Sequence, residues 1–193
     1  AGSPYAFHTL GSTMAVNTSH YAKVRGFPKR EAGEDFYLLN KLAKVGNVLE
    51  LQQGCACEPI EIKSRRSDRV PFGTGAAVNK ISDLDNALMD YRFYDPVVFQ
   101  LLQEWLQALP LVWQSRSRDM GECIQPVVNK NHQQIELVQV LDSLGISKAL
   151  EHAFKQSKSQ YQFILQMTTW FDAFRTLKLI HGLRDRCVAS VNF

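Results

Sequence analysis

The stretch Ala32-Gly33-Glu34-Asp35-Phe36-Tyr37-Leu38-Leu39, continued by Asn40-Lys41-Leu42-Ala43-Lys44-Val45-Gly46, opens a helix on two adjacent acids. Phe36, Leu39, Leu42 and Ala43 share one helical face between Glu34 and Val45, and Gly46 is placed to form a left-handed C-terminal cap. Glu34 and Asp35 then fall in or just before the first turn. Unpaired backbone N–H groups and the helix dipole favour negative charge there by about 0.3–1 kcal/mol each. Two roles are open to the pair. The acids cap the helix and do nothing more, or one carboxylate, held on a rigid helix end beside a cleft, takes a proton from an attacking hydroxyl within hydrogen-bond reach.

Upstream, Gly11-Ser12-Thr13-Met14-Ala15-Val16-Asn17 reads as a short apolar strand, followed by a helical stretch led by Ser, Thr and Asn and by a Gly26-Phe27-Pro28 turn. Downstream, an extended stretch at Pro59-Ile60-Glu61-Ile62 leads into Ser64-Arg65-Arg66-Ser67-Asp68-Arg69-Val70-Pro71-Phe72-Gly73-Thr74-Gly75. The planar fork of arginine binds phosphate oxygens in pairs, and glycine lets backbone N–H groups approach an anion closely. The other reading is a solvated turn in which the arginines pair with Glu58, Glu61 or Asp68, each surface pair contributing about 0–1 kcal/mol. No Gly-Lys-Ser/Thr follows a strand, so the loop is not a Walker loop, and no dinucleotide fingerprint occurs.

The chain has 193 residues, 45% hydrophobic and 21% charged, which suits a globular protein with one or two cores. A net charge of +3 is too mild to argue by itself for a nucleic-acid binder. No apolar run of about eighteen residues and no signal-peptide pattern occurs, so the expected location is the cytoplasm or the periphery of an inner membrane. Cys55, Cys57, Cys123 and Cys187 match no zinc or thioredoxin spacing and are expected as reduced thiols. His8, His20, His132, His152 and His181 are scattered, with His181 on a helix, packed or partly exposed. Asp83-Leu84-Asp85 has the Asp-x-Asp spelling, but within a helical stretch.

From about residue 78 the pattern becomes almost uninterrupted helix, with a boundary near Gly75. The expected organisation is residues 1–77, carrying strand, helix and loop, then 78–193 as an all-α subdomain. The fold class is thus α/β, mainly helical. Val97, Leu101, Leu102, Trp105 and Leu109 form one stripe, started by Asp95-Pro96 and ended or bent by Pro110. Ile135, Val138, Leu141 and Leu144 form another, closed by Gly145, and Ser147 starts a short helix with Leu150 and Phe154. A single longest helix is expected to carry Tyr161, Ile164, Leu165, Thr168, Phe171, Phe174, Leu177 and Ile180 on one side. Trp105, Trp113, Trp170, Phe171 and Phe174 read first as core, and otherwise as rings that stack on an acceptor. Arg175, Lys178, Arg184 and Arg186 suit the negative end of the last helix.

Taken together, Gly11–Asn17, Gly26-Phe27-Pro28, Gly33-Glu34-Asp35, Leu38, Leu39 and Gly46 resemble the second half of the catalytic domain of bacterial-type family 2 glycosyltransferases, which have the GT-A fold. The resemblance spans residues 8 to 75. It implies a partial GT-A-like strand-helix segment, with the strand on the acceptor side of the sugar site. It also implies Asp35 as the base that deprotonates the acceptor hydroxyl in inverting members, with Glu34 supporting or capping. Gly11, Ser12, Thr13, Arg65, Arg66, Arg69, Gly73 and Gly75 would then meet substrate, the basic loop serving the donor phosphates or the acceptor. The implied partners are a nucleotide-sugar donor and a hydroxyl acceptor, with no nucleic acid. A strand edge left open around Thr13–Val16 would recruit a second copy into a homo-oligomer.

The family's nucleotide-binding half, which ends in its Asp-x-Asp metal motif, would lie upstream of Gly11, so the chain reads as a fragment. Mg²⁺ or Mn²⁺ is expected for the full-length enzyme, and neither metal binding nor activity for this piece alone. Asp83-Leu84-Asp85 lies after the acidic pair, where the family's metal motif would not be. The Gln-x-x-Arg-Trp motif of processive members is missing, which argues against a polysaccharide synthase. The competing reading is a noncatalytic helical interaction module, in which the acids only cap and the aromatic stripes bind a partner helix. A nucleic-acid role for Arg65–Arg69 lacks a helix-turn-helix or an aromatic sheet motif.

Overall fold

The computed structural model describes residues 2–9, 14–49, 65–68, 73–116, 122 and 131–192. The chain divides into two compact units, one of Phe7–Phe93 with Val191–Phe193 and the other of Ala1–Ala6 with Tyr94–Ser190. The division falls after Phe93 rather than near Gly75. A boundary at residue 77 would cut through a helix, since Thr74–Ser82 forms a single helical segment.

In the first unit, α1 (Thr18–Lys23) is started by Asn17, whose Oδ1 accepts from the N–H groups of Ser19 and His20. The chain leaves α1 through Arg25 and Gly26, both left-handed at φ 60° and 64°. Gly26 is needed there because a Cβ would sit 2.8 Å from Cζ of Tyr21. The next helix, α2 (Glu34–Leu42), follows a left-handed Gly33. It buries Leu38, Leu39 and Leu42 with Val24, and Phe7, Met14, Val16 and Val48 pack on that cluster. Each such side chain contributes about 1.5–3 kcal/mol when fully buried. Lys41 ties α2 to the end of α1 by donating to the carbonyl of Val24 at 2.7 Å. The helices α3 (Thr74–Ser82) and α4 (Ala87–Asp90) complete the unit among the described residues.

Three expectations change here. The strand over Gly11–Asn17 is not seen: residues 14–17 are irregular, and Gly11–Thr13 lie outside the described residues. Met14 and Val16 use their apolar side chains to pack against α2 without pairing their backbones. Among the described residues no sheet forms, and Phe93 and Val191 make an isolated antiparallel bridge. The open edge expected at Thr13–Val16 is therefore absent over residues 14–16. Finally, α2 ends at Leu42 and Gly46 is not left-handed. Gly46 instead makes room for the ring of His20, whose Nε2 would lie 3.1 Å from a Cβ.

The second unit is helical: α5 (Pro96–Ser115), α6 (Asn131–Ser143), α7 (Ile146–Gln156), α8 (Gln160–Trp170) and α9 (Ala173–Arg186). Asp95 caps α5 through its Oδ1, which accepts from Val97 N–H at 2.8 Å, and Pro96 takes the first helical position. Pro110 does not end this helix, which runs on to Ser115. α5 packs on α8 and α9, α6 on α7 and α9, and α7 on α8. Trp105, Leu109, Leu137, Leu141, Leu150, Phe163, Met167, Phe171, Leu179 and Leu183 form the centre of the core. The rings of Trp105 and Phe171 meet edge to face at 5.8 Å.

The long last helix is two helices. Asp172 breaks it, its buried carboxylate accepting from Arg175 N–H and starting α9. The buried side of α8 is Phe163 and Met167, and that of α9 is Leu179 and Leu183. Tyr161 and Leu165, expected inside, are 76% and 52% exposed. In α6, Ile135 faces solvent, and Leu137, Val140 and Leu141 are buried.

Candidate functional site

Gly33 supplies the left-handed residue, φ 71°, that turns the chain into α2, and it leaves the first turn without a side-chain cap. The two acids then differ. Glu34 is exposed and Asp35 half-buried. Asp35 lies three, four and seven positions before Leu38, Leu39 and Leu42, so it shares the side of α2 that packs inward. Its Oδ1 accepts from the N–H of Phe36 at 2.7 Å, using one of the free donors of the first turn. Beside it, the guanidinium of Arg30 lies over the ring of Tyr37 at 4.6 Å. An ionised carboxylate fixed in this way can accept a proton or a hydrogen bond from a hydroxyl.

The basic loop is a second, separate construction built on α3. Arg66 pairs with Asp83 at 2.6 Å, and both side chains are largely exposed; Glu58 and Glu61 lie outside the described residues. Asn79 clamps the backbone of Ser67 at both ends, accepting from its N–H and donating to its carbonyl, each at 3.2 Å. It also donates to Asp68 at 2.8 Å. Gly75 allows this close approach, since a Cβ would lie 2.9 Å from the carbonyl oxygen of Ser67. Gly73, left-handed at φ 88°, starts α3 with no side-chain cap. Arg65 is exposed on the same short segment.

Arg66, Ser67, Gly73, Gly75 and Asp83 are thus brought onto one helix, and Glu34 and Asp35 onto another. Gly11, Ser12, Thr13 and Arg69 lie outside the described residues. Asn79, which holds the loop to α3, was missed because a lone Asn in a helical stretch carries no pattern of its own. α3 ends at Ser82 with Asp83 as its C-cap, so Asp83-Leu84-Asp85 follows a helix end instead of lying inside a helix.

Among the described residues no group of three or more His, Cys, Asp or Glu side chains could hold a metal ion. Asp83 is paired with Arg66. Cys55, Cys57 and Cys123 lie outside the described residues, and burial pushes up the thiol of Cys187, which is a free cysteine. His181 is half-buried and hydrogen-bonded to the hydroxyl of Tyr94 at 2.8 Å. Burial, then the nearby Arg184, holds its pKa below the usual histidine range. Trp105 and Phe171 are core, and Trp113, Trp170 and Phe174 are half-buried. No described helix is long and apolar enough to cross a membrane.

A scan against protein-family models finds no match to this chain, and neither the curated proteins nor the solved structures hold one.

Proposed function

We propose that this chain is part of a nucleotide-sugar-dependent glycosyltransferase of the family 2 type, in which Asp35 is the general base. The observation that carries the reading is the asymmetry of the acid pair. Asp35 is half-buried at the mouth of α2, three, four and seven positions before the buried Leu38, Leu39 and Leu42, whereas Glu34 is exposed. In this reading the Asp35 carboxylate takes the acceptor hydroxyl's proton as that oxygen attacks the anomeric carbon. The bond to the nucleotide diphosphate breaks, and the electron pair leaves with the phosphate. Arg65, Arg66 and Arg69, with Gly73 and Gly75, meet the diphosphate. Arg66 must first leave Asp83, and an exposed pair of this kind contributes only about 0–1 kcal/mol, so a diphosphate can outcompete it. Glu34 supports the helix start. Gly11, Ser12 and Thr13 would lie on the acceptor side.

The test is sugar transfer by the full-length protein that contains this chain, as wild type and as Asp35→Asn, across a panel of nucleotide sugars with Mg²⁺ or Mn²⁺ supplied. The expected result is unchanged nucleotide affinity and transfer lower by about a hundredfold or more. Equal transfer by both proteins would reduce Asp35 to a helix cap.

A second reading, a noncatalytic interaction module, is favoured by one observation. Tyr161 and Leu165 on α8 and Leu177 on α9 are 76%, 52% and 41% exposed. Failure of the wild type to bind any nucleotide sugar would put this reading first.

A further inference from the structure

The helical unit contains an open cleft of about 500 Å³, lined by the α6–α7 turn, by α7, by the end of α8 and by Arg175 of α9. That volume lies within the range of small-molecule sites, about 300–1,000 Å³. Its apolar floor is Leu144, Ala149, Ala153 and the indole of Trp170. Its rim is basic. Lys148 and His152 stand one turn apart on α7, so they share a face, and Arg175 reaches in from the start of α9. None of the described lining residues is an Asp or a Glu. The acid nearest to them on α7, Glu151, is paired with Lys155 at 2.8 Å.

Arg175 is held in place before any ligand arrives. One of its N–H groups donates to the carbonyl of Trp170 at 2.7 Å, and its guanidinium stacks over the Trp170 ring at 4.7 Å. The rest of the donor fork remains for an anion, and a fixed fork loses little freedom on binding phosphate oxygens in pairs. At the other side of the cleft, Gly145 is left-handed at φ 84° and gives α7 no side-chain cap, so the first-turn N–H groups add to the positive field.

We propose that this cleft binds a phosphoester carried on an uncharged body, with Lys148 and Arg175 on the phosphate and the Trp170 indole against the body. Two sources share that chemistry, a soluble sugar phosphate and a phospholipid headgroup. The proposal stands apart from the role given to Asp35 and requires no nucleotide sugar.

The experiment titrates the full chain with glucose 6-phosphate, glucose and inorganic phosphate, following backbone amide resonances. In parallel it measures retention on phosphatidylcholine vesicles with and without phosphatidic acid. Amides of residues 145–153 and 166–175 should shift with glucose 6-phosphate, which should bind at least tenfold more tightly than either glucose or inorganic phosphate. Retention only on phosphatidic acid vesicles, with no soluble ligand bound, would equally support the phosphoester and assign it to a headgroup. Lys148→Glu should weaken binding tenfold or more. Lys158→Glu, between α7 and α8 and outside the cleft, should leave it unchanged. Lys148 is exposed, so its charge reversal leaves the core intact, and a far-ultraviolet spectrum checks that it has. Undiminished binding by Lys148→Glu, shifts confined to other residues, equal affinity for inorganic phosphate, or no binding to either source would overturn the proposal.

Discussion

Tyr5 shows how one side chain records its surroundings. Its hydroxyl donates to the carbonyl of Thr168 at 3.1 Å, and burial, then the nearby Asp172 carboxylate, pushes its pKa up to about 12. An unfolded phenol titrates near about 10. The folded state therefore holds the proton more tightly, and the linked stability is fully present below about pH 10 and is lost as pH rises through about 12. In urea titrations across that window the wild type should lose stability relative to Tyr5→Phe, which has no phenol to ionise. Parallel curves for the two proteins would contradict the assignment. The acid pair gives the opposite lesson about legibility. Adjacent Glu34 and Asp35 look alike as first-turn acids, and the sequence pattern placed both correctly at a helix start. Only the phase of Leu38, Leu39 and Leu42, buried in the structure, shows that Asp35 shares the inward side of α2. The partner of Arg66 was not legible, because Asp83 lies at the far end of α3, well away in sequence.

At the scale of elements, starts were easier to read than stops. Asp95-Pro96 begins α5 as its chemistry dictates, and Gly145 separates α6 from α7. Pro110 does not end α5, because a proline removes one backbone donor and disturbs one turn, a cost the buried neighbours Ala108, Leu109 and Val112 outweigh by holding the helix in the core. The division between α8 and α9 was missed because apolar residues continue across it. The stripe from Tyr161 is already off the buried side of α8, which is Phe163 and Met167, and Asp172 then resets the phase for α9. Packing between elements also carries a measurable prediction. Gly182 sits inside α9, and a Cβ there would lie 2.8 Å from Cγ1 of Val140 on α6. Helix propensity alone would make Gly182→Ala stabilising by about 1 kcal/mol. Overpacking of a close helix contact costs about 1–3 kcal/mol, so the net change should be destabilising. The pair Gly182→Ala with Val140→Ala should be more stable than the sum of the single changes, a departure from additivity that chemical denaturation reads directly.

At the scale of the whole chain, the mainly helical class was legible from periodicity, and the strand component was not borne out among the described residues. A short apolar run such as Met14–Val16 satisfies a hydrophobic face equally well as irregular chain, and periodicity cannot separate the two. The two units also differ in what they bury. Among the described residues the first is centred on Val24, Leu38, Leu39 and Leu42, and the second on an interlocking set around Trp105. On that difference among the described residues, the first unit should come apart at lower denaturant, since less buried apolar surface lowers the free energy of opening. That difference has an optical consequence. Trp105, Trp113 and Trp170 are all the tryptophans of the chain, and every one belongs to the helical unit. Indole emission excited at the red edge therefore watches that unit alone, whereas circular dichroism at the amide band sums over both. The emission transition should fall at higher urea than the dichroism transition, and coincident curves would mean that the two units melt as one cooperative body.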